Sequence, residues 1–238
     1  MIQGMSAALS GLRSYINQTR VTSNNLANLN TPGFKGSSVV QSSAPGGVGV
    51  ATTGVQPNQG QGAVIYSGQP FDMAIGGQGF FKVTTSGGAT AYTRAGGFRP
   101  DKNGRLADAN GNTLQPPVQI PANATSVSIG RDGSVTALIN GQSQNIGQVK
   151  LYKFNNPGGL QSGGSNIYNE TSSSGQPVQG APGDGGFGEI YPSSLEQSNV
   201  DVGRQMVSLI QSQYGFSAQI KTIQTADEML GAILDIKT

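Results

Sequence analysis

The sequence predicts an α+β fold in which the N- and C-terminal helices pair as a coiled coil and the centre is an all-β domain, either a small barrel or a sandwich. Apolar residues recur at alternating steps of three and four at both ends of the chain, which indicates helices. Turn dipeptides recur through the middle, which indicates short strands. The predicted organisation is a helical domain from residues 1–35 and 195–238, an extended uncharged arm or linker over 36–70, and a central β domain over 71–194.

The first helix is predicted from a narrow apolar series. Its members lie on one face of a helix: Ile2, Met5, Leu9, Leu12, Ile16 and, after the polar Thr19 and Ser23, Leu26. About two positions in seven is the spacing of a coiled coil rather than of a broad globular face. The run NLNTPG at 28–33 ends the helix, because Asn, Pro and Gly disfavour helical backbone.

The C-terminal helix carries a longer apolar series. Its positions are Val202, Met206, Leu209, Gln213, Phe216, Ile220, Ile223, Asp227, Leu230 and Leu234. Ser198 or Asn199 is predicted to cap the helix, and Asp201 to lie in its first turn. Gly215 is expected to weaken the helix by up to about 1 kcal/mol relative to Ala. The two helices are predicted to pair with each other, and separate packing on the central domain is the alternative.

No charged residue lies between Lys35 and Asp72, where Gly, Gln, Ser and Val predominate. This composition is typical of a flexible linker. A solvated linker normally carries charges, so their absence favours an arm that becomes ordered against neighbouring subunits.

The centre is predicted to be β from four dipeptides that favour hairpin turns. They are Asn103-Gly104, Asn110-Gly111, Asp132-Gly133 and Asn140-Gly141. Short β-prone runs lie between and around them, at 74–75, 80–83, 127–129, 135–139 and 149–152. Residues 155–190 are rich in Gly, Asn and Ser and are predicted to form long loops.

The composition lowers the expectation of catalysis. The 238 residues include no His and no Cys, which removes the commonest general base, the thiolate nucleophile and the usual zinc ligands. We therefore predict no catalytic, cofactor-binding or metal-binding residues, and read the calcium-loop-like fragment at 101–104 as turn chemistry. The net charge of +2 does not indicate nucleic-acid binding. No membrane span and no Sec-type signal peptide is expected.

Four separated motifs resemble the signatures of the bacterial flagellar rod and hook family. The N-terminal motif is SNNLAN at 23–28 with TPGFK at 31–35, and the C-terminal motif is LEQSNVD at 195–201. Two further motifs resemble the start of the central β domain in that family, DMAI at 72–75 with GQGFF at 77–81, and YTR at 92–94. Their order makes the resemblance specific and extends it over nearly the whole chain.

The resemblance implies a structural subunit of the flagellar basal-body rod that assembles helically into a hollow, torque-transmitting shaft. The implied partners are copies of itself, neighbouring rod and hook proteins, the surrounding ring bushing and the flagellar type III export apparatus, with a location in the periplasm-spanning rod. Export without cleavage of a signal is also implied. The residues expected at subunit interfaces are Asn24, Asn25, Leu26, Ala27, Asn28, Thr31, Gly33, Phe34, Ser198, Asn199, Val200, Asp201, Met206, Leu209, Phe216, Ile220, Ile223, Leu230 and Leu234.

Within the family, the motifs at 129–133, 147–149, 166–171 and 225–230 favour the distal rod. The segment QYGFS at 213–217 and the uncharged stretch after Lys35 depart from that subtype, so the proximal rod and the hook stay open. A cell-wall-binding or carbohydrate-active β domain with helical ends is the alternative from another class. Microscopy of the concentrated protein and a turbidity assay on cell wall distinguish the two classes.

Overall fold

The computed structural model describes the backbone of residues 2–235 and the side chains of residues 3–232. Its contacts divide the chain into two units, each built from separated segments. Within the described residues, the helical unit comprises 2–29, 36–58 and 200–235, and the strand-rich unit comprises 30–35 and 59–199. The predicted arm at 36–70 is thus shared between the two units.

The helical unit contains two long helices and one β-hairpin. Its elements are α1 (Ile2–Ala27), β1 (Ser37–Ser43), β2 (Val50–Pro57) and α2 (Val202–Asp235). Strands β1 and β2 pair in antiparallel fashion. Asp201 caps α2, because its Oδ1 accepts a hydrogen bond from the backbone N–H of Arg204 at 3.1 Å. The predicted cap at Ser198 or Asn199 is therefore wrong by two to three positions.

The strand-rich unit contains sixteen short strands among the described residues. They are β3 (Val64–Tyr66), β4 (Met73–Gly76), β5 (Phe81–Thr84), β6 (Thr90–Thr93), β7 (Arg99–Pro100), β8 (Leu106–Ala107), β9 (Thr113–Gln115), β10 (Ala124–Ile129), β11 (Ser134–Ile139), β12 (Gln142–Gln148), β13 (Leu151–Lys153), β14 (Gln161–Gly164), β15 (Ile167–Asn169), β16 (Val178–Gly180), β17 (Glu189–Pro192) and β18 (Ser194–Glu196). A single 3₁₀ turn is described at Pro157–Gly159. The α+β prediction of a strand-rich centre between two helices is confirmed.

The largest sheet of this unit has seven strands in the order β14-β15-β6-β5-β9-β8-β7. Strands β10, β11 and β12 form a three-stranded meander, and the pairs β13-β16, β17-β4 and β18-β3 complete the unit. Three of these strands, β14 to β16, lie within the segment predicted to be long loops, and β17 begins in it at Glu189. That prediction is wrong, because non-local partners such as β4 and β6 supply pairing that a Gly-rich segment does not predict by itself.

Asn140-Gly141 forms the predicted hairpin turn between β11 and β12, with φ of +50° and +79°. At the other three dipeptides only the glycine has positive φ among the described residues. Those turns are stabilised by an Asp side chain instead. Asp101 Oδ1, for example, accepts hydrogen bonds from the backbone N–H groups of Asn103 and Arg105.

The core of the strand-rich unit is apolar and fully buried. It includes Phe81, Phe98, Met73, Leu114 and Ile190 from five separate places in the chain. A second cluster is aromatic, with Phe154 packed edge-on against Tyr92 at a ring-centroid distance of 4.8 Å. Residues of the DMAI, GQGFF and YTR motifs belong to these two clusters, among them Met73, Phe80 and Tyr92.

Candidate functional site

Three charged side chains from three signature motifs meet inside the strand-rich unit. Lys35 Nζ lies 2.6 Å from Glu196 Oε1, and both side chains are fully buried. Arg94 Nη1 lies 3.6 Å from Glu196 Oε2. We call Lys35, Arg94 and Glu196 the signature cluster. It joins the N-terminal motif, the YTR motif and the C-terminal motif at one point.

Backbone groups complete the signature cluster. Lys35 Nζ donates a hydrogen bond to the Gly60 carbonyl at 2.8 Å, and the N–H of Gly62 donates to Glu196 Oε1 at 2.9 Å. Arg94 Nη2 donates to the Gly77 carbonyl at 2.7 Å. Burial lowers the pKa of Lys35, and the neighbouring carboxylate of Glu196 opposes this effect.

The cluster holds two cations against one carboxylate. Arg94 Nε and Nη1 and Glu196 Oε2 have no hydrogen-bond partner within the described residues. The guanidinium of Arg94 instead lies over the ring of Phe80, 5.3 Å from its centroid. Removal of the one carboxylate would leave two buried cations without a counter-charge, so we expect substitution of Glu196 to destabilise this unit.

Gly33 holds the N-terminal motif next to Glu196 of the signature cluster. Its N–H donates to the Glu196 carbonyl at 2.7 Å, and its φ is +70°. A Cβ at position 33 would overlap the backbone of Ala95. Gly33 is therefore required both by its conformation and by the close approach of the Ala95 backbone.

Sequence reasoning placed Gly33 among the site residues but missed the ion cluster. One signal was present, because Lys35 is the only charged residue between Arg20 and Asp72. A lone charge at the end of a signature motif requires a buried counterion or exposure to water. The sequence does not say which, since Arg94 and Glu196 lie 59 and 161 residues away.

The two helices of the helical unit contact each other through small and polar residues. Asn25 Nδ2 donates to Gln205 Oε1 at 3.1 Å, and Gln18 Nε2 donates to Ser208 Oγ at 3.2 Å. Further along, the ring of Tyr15 lies against Gly215, and Gly11 lies against Gln219. The helices are therefore antiparallel. The contact stripe on α2 comprises Gln205, Ser208, Ser212, Gly215 and Gln219.

This contact differs from the predicted one through the apolar series. The contact stripe lies one residue before that series along α2, and it keeps the same steps of three and four. Small residues let the helix backbones approach, and the polar side chains between them are hydrogen-bonded. Much of the apolar series consequently remains accessible: Met206 is 51% exposed and Ile220 is 37% exposed, with Leu9 at 46% and Ile16 at 54% on α1.

An open groove of about 680 Å³ runs beside the helix contact. Ile16, Thr19 and Arg20 line it from α1, and Gln213 and Phe216 line it from α2. Ser212 and Ser217 of α2 complete the lining, so four of the seven residues belong to the apolar series of the two helices. The groove therefore leaves part of the apolar series of both helices open to solvent.

Asn25 of the N-terminal motif also holds the hairpin. Its Nδ2 donates to the Ser37 carbonyl at 2.8 Å, and its Oδ1 accepts from the Ser37 N–H at 2.9 Å. Gln41 Nε2 donates to Ser14 Oγ at 2.6 Å, and the Val50 N–H donates to Ser10 Oγ at 3.0 Å. The uncharged segment 37–57 is therefore hydrogen-bonded to α1 and is not a free linker.

The other predicted interface residues differ in exposure. Those with exposed side chains are Asn24, Ala27 and Asp201. Those that are half-buried are Leu26, Asn28, Thr31, Phe34, Ser198, Asn199, Val200, Leu209, Phe216, Ile223 and Leu230. Leu234 lies outside the described side chains, as does Ile2 of the α1 series.

Two negative findings concern other kinds of site. Among residues 2–235 there is no group of three or more His, Cys, Asp or Glu residues arranged to hold a metal ion. Within the same residues, neither helix is apolar enough over a sufficient length to cross a membrane.

The exposed apolar series of the two helices indicate surfaces that bind other molecules. Comparison with known families agrees. Residues 5–35 match the flagella basal body rod protein family, residues 74–137 match the D1 domain of the flagellar hook protein FlgE/F/G family, and residues 191–236 match the C-terminal region of the flagellar basal body rod FlgEFG proteins.

FlgG proteins match this chain over nearly its whole length. The flagellar basal-body rod protein FlgG of Buchnera aphidicola subsp. Schizaphis graminum is 38% identical, with 97% of this chain and 98% of that protein covered. The FlgG proteins of Caulobacter vibrioides and Bacillus subtilis are each 35% identical, with 100% of both chains covered. The flagellar hook protein FlgE of Caulobacter vibrioides is 41% identical over 48% of this chain and 20% of its own length. The chain belongs to the family of flagellar basal-body rod proteins, and it is a structural subunit of the rod.

Proposed function

We propose that the chain polymerises with copies of itself into the distal part of the flagellar rod, a hollow shaft that transmits torque. One observation carries this proposal, namely the exposed apolar series of both helices. Leu9, Ile16, Met206 and Ile220 would each gain from contact with another helix, because burial of apolar surface is favourable by about 25 cal/mol per Å².

The exposed apolar surface of α2 extends over more than one face. Val207, Ile210 and Tyr214 are all exposed, and Tyr214 is 75% exposed. These three residues lie on the side of α2 away from the contact stripe. A single dimer contact would leave one of the two faces in water, so this distribution supports contact with several neighbours at once.

Coiled-coil packing is proposed between neighbouring copies through these apolar series. A series of two positions in seven fits a facing helix as knobs fit holes. A head-to-tail contact that does not close on itself generates a helical filament. The proposed interface residues are those predicted from the sequence, except Asn25 and Gly33, which are buried in contacts within the chain. The groove beside Phe216 is a further receiving surface.

The strand-rich unit is proposed to form the outer layer of the shaft, with its strands arranged as a small barrel or sandwich. The helical unit and the strand-rich unit are proposed to be the two structural domains of the chain. The fully buried pair of Lys35 and Glu196 supports a stiff outer layer, because breaking a buried ion pair is costly.

The neighbours and the route to the shaft are also proposals. We propose contacts with other rod proteins and the hook, a surrounding ring bushing, a periplasm-spanning location, and export through the flagellar type III apparatus. Similarity to FlgG proteins over the whole chain supports the distal rod over the alternatives.

Polymerisation of the purified protein tests the proposal. The wild type is concentrated and followed by light scattering and negative-stain electron microscopy, beside Met206→Asp and Gln211→Asp. Both variants add one carboxylate at an exposed position of α2, but only Met206 belongs to the apolar series. The wild type and Gln211→Asp should form filaments and Met206→Asp should not. Failure of all three to form filaments would contradict the proposed function.

A further inference from the structure

One face of α1 is basic and apolar together. Leu9, Arg13, Ile16 and Arg20 follow one another at steps of four, three and four, so they form a single stripe on α1. Ile16 and Arg20 of this stripe also line the groove beside the contact with α2. All four side chains are exposed. No acidic residue occurs anywhere in α1. We call these four residues the basic stripe.

The last turns of α2 carry the opposite charge. Asp227 and Glu228 are both exposed, and no basic residue occurs from Thr222 to the end of α2. Asp227 belongs to the apolar series, with Ile223 and Leu230 one turn before and after it. This acidic end therefore combines carboxylates with apolar side chains, as the basic stripe combines guanidinium groups with apolar side chains.

The two charged surfaces do not meet within one chain. The contacts of Gly11 with Gln219 and of Tyr15 with Gly215 place Arg13 level with residue 217 of α2. Asp227 lies ten residues further along, which is about 15 Å at the rise of an α-helix. Within the described residues, none of the ion pairs involves Arg13, Arg20, Asp227 or Glu228.

We propose that the acidic end of α2 in one copy docks on the basic stripe of α1 in the next copy. The inference rests on the proposed self-assembly and specifies one of its contacts. Charge complementarity selects a second copy of this chain as the occupant, and the flanking apolar residues supply burial. Because the two surfaces differ and are offset along the helix pair, the contact is head-to-tail and staggers successive copies. Such a contact generates a filament when the rotation between successive copies does not close a ring.

Charge reversal tests the contact. One variant carries Arg13→Glu with Arg20→Glu, and the other carries Asp227→Arg with Glu228→Arg. Each variant alone would place like charges at every contact, so its critical concentration for polymerisation should rise by at least about fivefold. A one-to-one mixture of the two variants, and a single chain with all four substitutions, should restore polymerisation. Normal polymerisation of each variant alone, or no recovery in the mixture, would overturn the inference.

A disulfide test works even without filaments, because the chain contains no Cys. Chains with Arg13→Cys and chains with Asp227→Cys are mixed and oxidised, and the mixed dimer is measured. Within one chain these positions are too far apart for a disulfide, which needs Cα atoms less than about 7 Å apart. The mixed dimer should exceed several-fold the dimer of Arg13→Cys with Lys221→Cys. Equal yields would refute the contact, whereas wild-type protein that forms no filaments would refute the proposed function.

Discussion

Gly215 of α2 lies so close to the ring of Tyr15 of α1 that a Cβ at position 215 would overlap the ring carbon Cζ. A glycine in the middle of a helix costs up to about 1 kcal/mol relative to Ala. The contact with Tyr15 explains why a glycine occupies this position in spite of that cost. Gly215 brings the two helices together at the centre of the helical unit, between the pairs Gln18–Ser208 and Gly11–Gln219.

Gly215→Ala should weaken the helix pair even though Ala is the better helix former. The added methyl group would displace the Tyr15 ring, and overpacking of this kind costs about 1–3 kcal/mol. Gly231→Ala is the matched control, because nothing lies within 4 Å of a Cβ there. Thermal unfolding followed by helical circular dichroism should show a lower midpoint for Gly215→Ala and an equal or higher one for Gly231→Ala. A rise in both midpoints would mean that the Tyr15 contact is unimportant.

Glu196→Gln should destabilise the strand-rich unit strongly. The change leaves the cations of Lys35 and Arg94 buried without a counter-charge, and such a loss costs about 3–5 kcal/mol. Glu189→Gln is the control, because Glu189 forms an exposed ion pair with Arg131 at 3.8 Å, and it should change stability by less than about 1 kcal/mol. Urea unfolding followed by near-ultraviolet circular dichroism measures both. Similar small losses in the two variants would contradict the account of the signature cluster.

Gly33→Ala should cost more than Gly88→Ala. Both glycines have positive φ, +70° and +81°, so both substitutions incur the conformational cost of about 1–2 kcal/mol. Only position 33 has a close neighbour, the Ala95 backbone, whereas nothing lies within 4 Å of a Cβ at position 88. The difference between the two free energies of unfolding isolates the Ala95 contact. Equal losses would show that the turn conformation alone requires Gly33.

The strand-rich unit should lose stability between pH 10 and about 12. Burial raises the pKa of Tyr168 from 10.0 to about 12, partly opposed by nearby Arg94. The unfolded chain therefore releases this proton first as the pH rises, and the folded state loses up to about 1.4 kcal/mol per pH unit from this group. Below pH 10 the group is protonated in both states and has no effect.

Tyr168→Phe should reduce this alkaline slope. Urea midpoints measured at several pH values from 9 upward would show it, with far-ultraviolet circular dichroism as the signal, because ionisation of tyrosine itself changes the near-ultraviolet spectrum. An unchanged slope in the variant would assign the alkaline loss to other groups.

The helices could be predicted from the sequence because their signal is local. The apolar series in α1 and α2 repeats over many turns, and residues 28–33 stop α1 close to its observed end at Ala27. Strands β5 and β11 were likewise predicted, from runs that contain Phe81 and Val135. Each of these elements is specified by its own residues.

The remaining strand pairs and contacts could not be predicted from local sequence, because the two partners lie far apart in the chain. The pairing of β17 with β4 joins Glu189 to Gly76, and no local pattern in a Gly-rich segment predicts it. The ion pair of Lys35 and Glu196 is of the same kind. The face through which the two helices contact each other could not be predicted for a different reason. An apolar series indicates a surface that needs a partner, but it does not say whether the same chain or another chain supplies that partner.

Electron microscopy of basal bodies tests most directly the claim that the apolar series joins neighbouring copies. Ile220→Asp and Lys221→Gln are each expressed in a strain lacking the native copy. Ile220 belongs to the apolar series but is not in the contact stripe, so Ile220→Asp should leave the single chain folded and should abolish rods and motility. Lys221→Gln, one residue away and off the series, should give normal rods. Normal rods with Ile220→Asp would contradict the account.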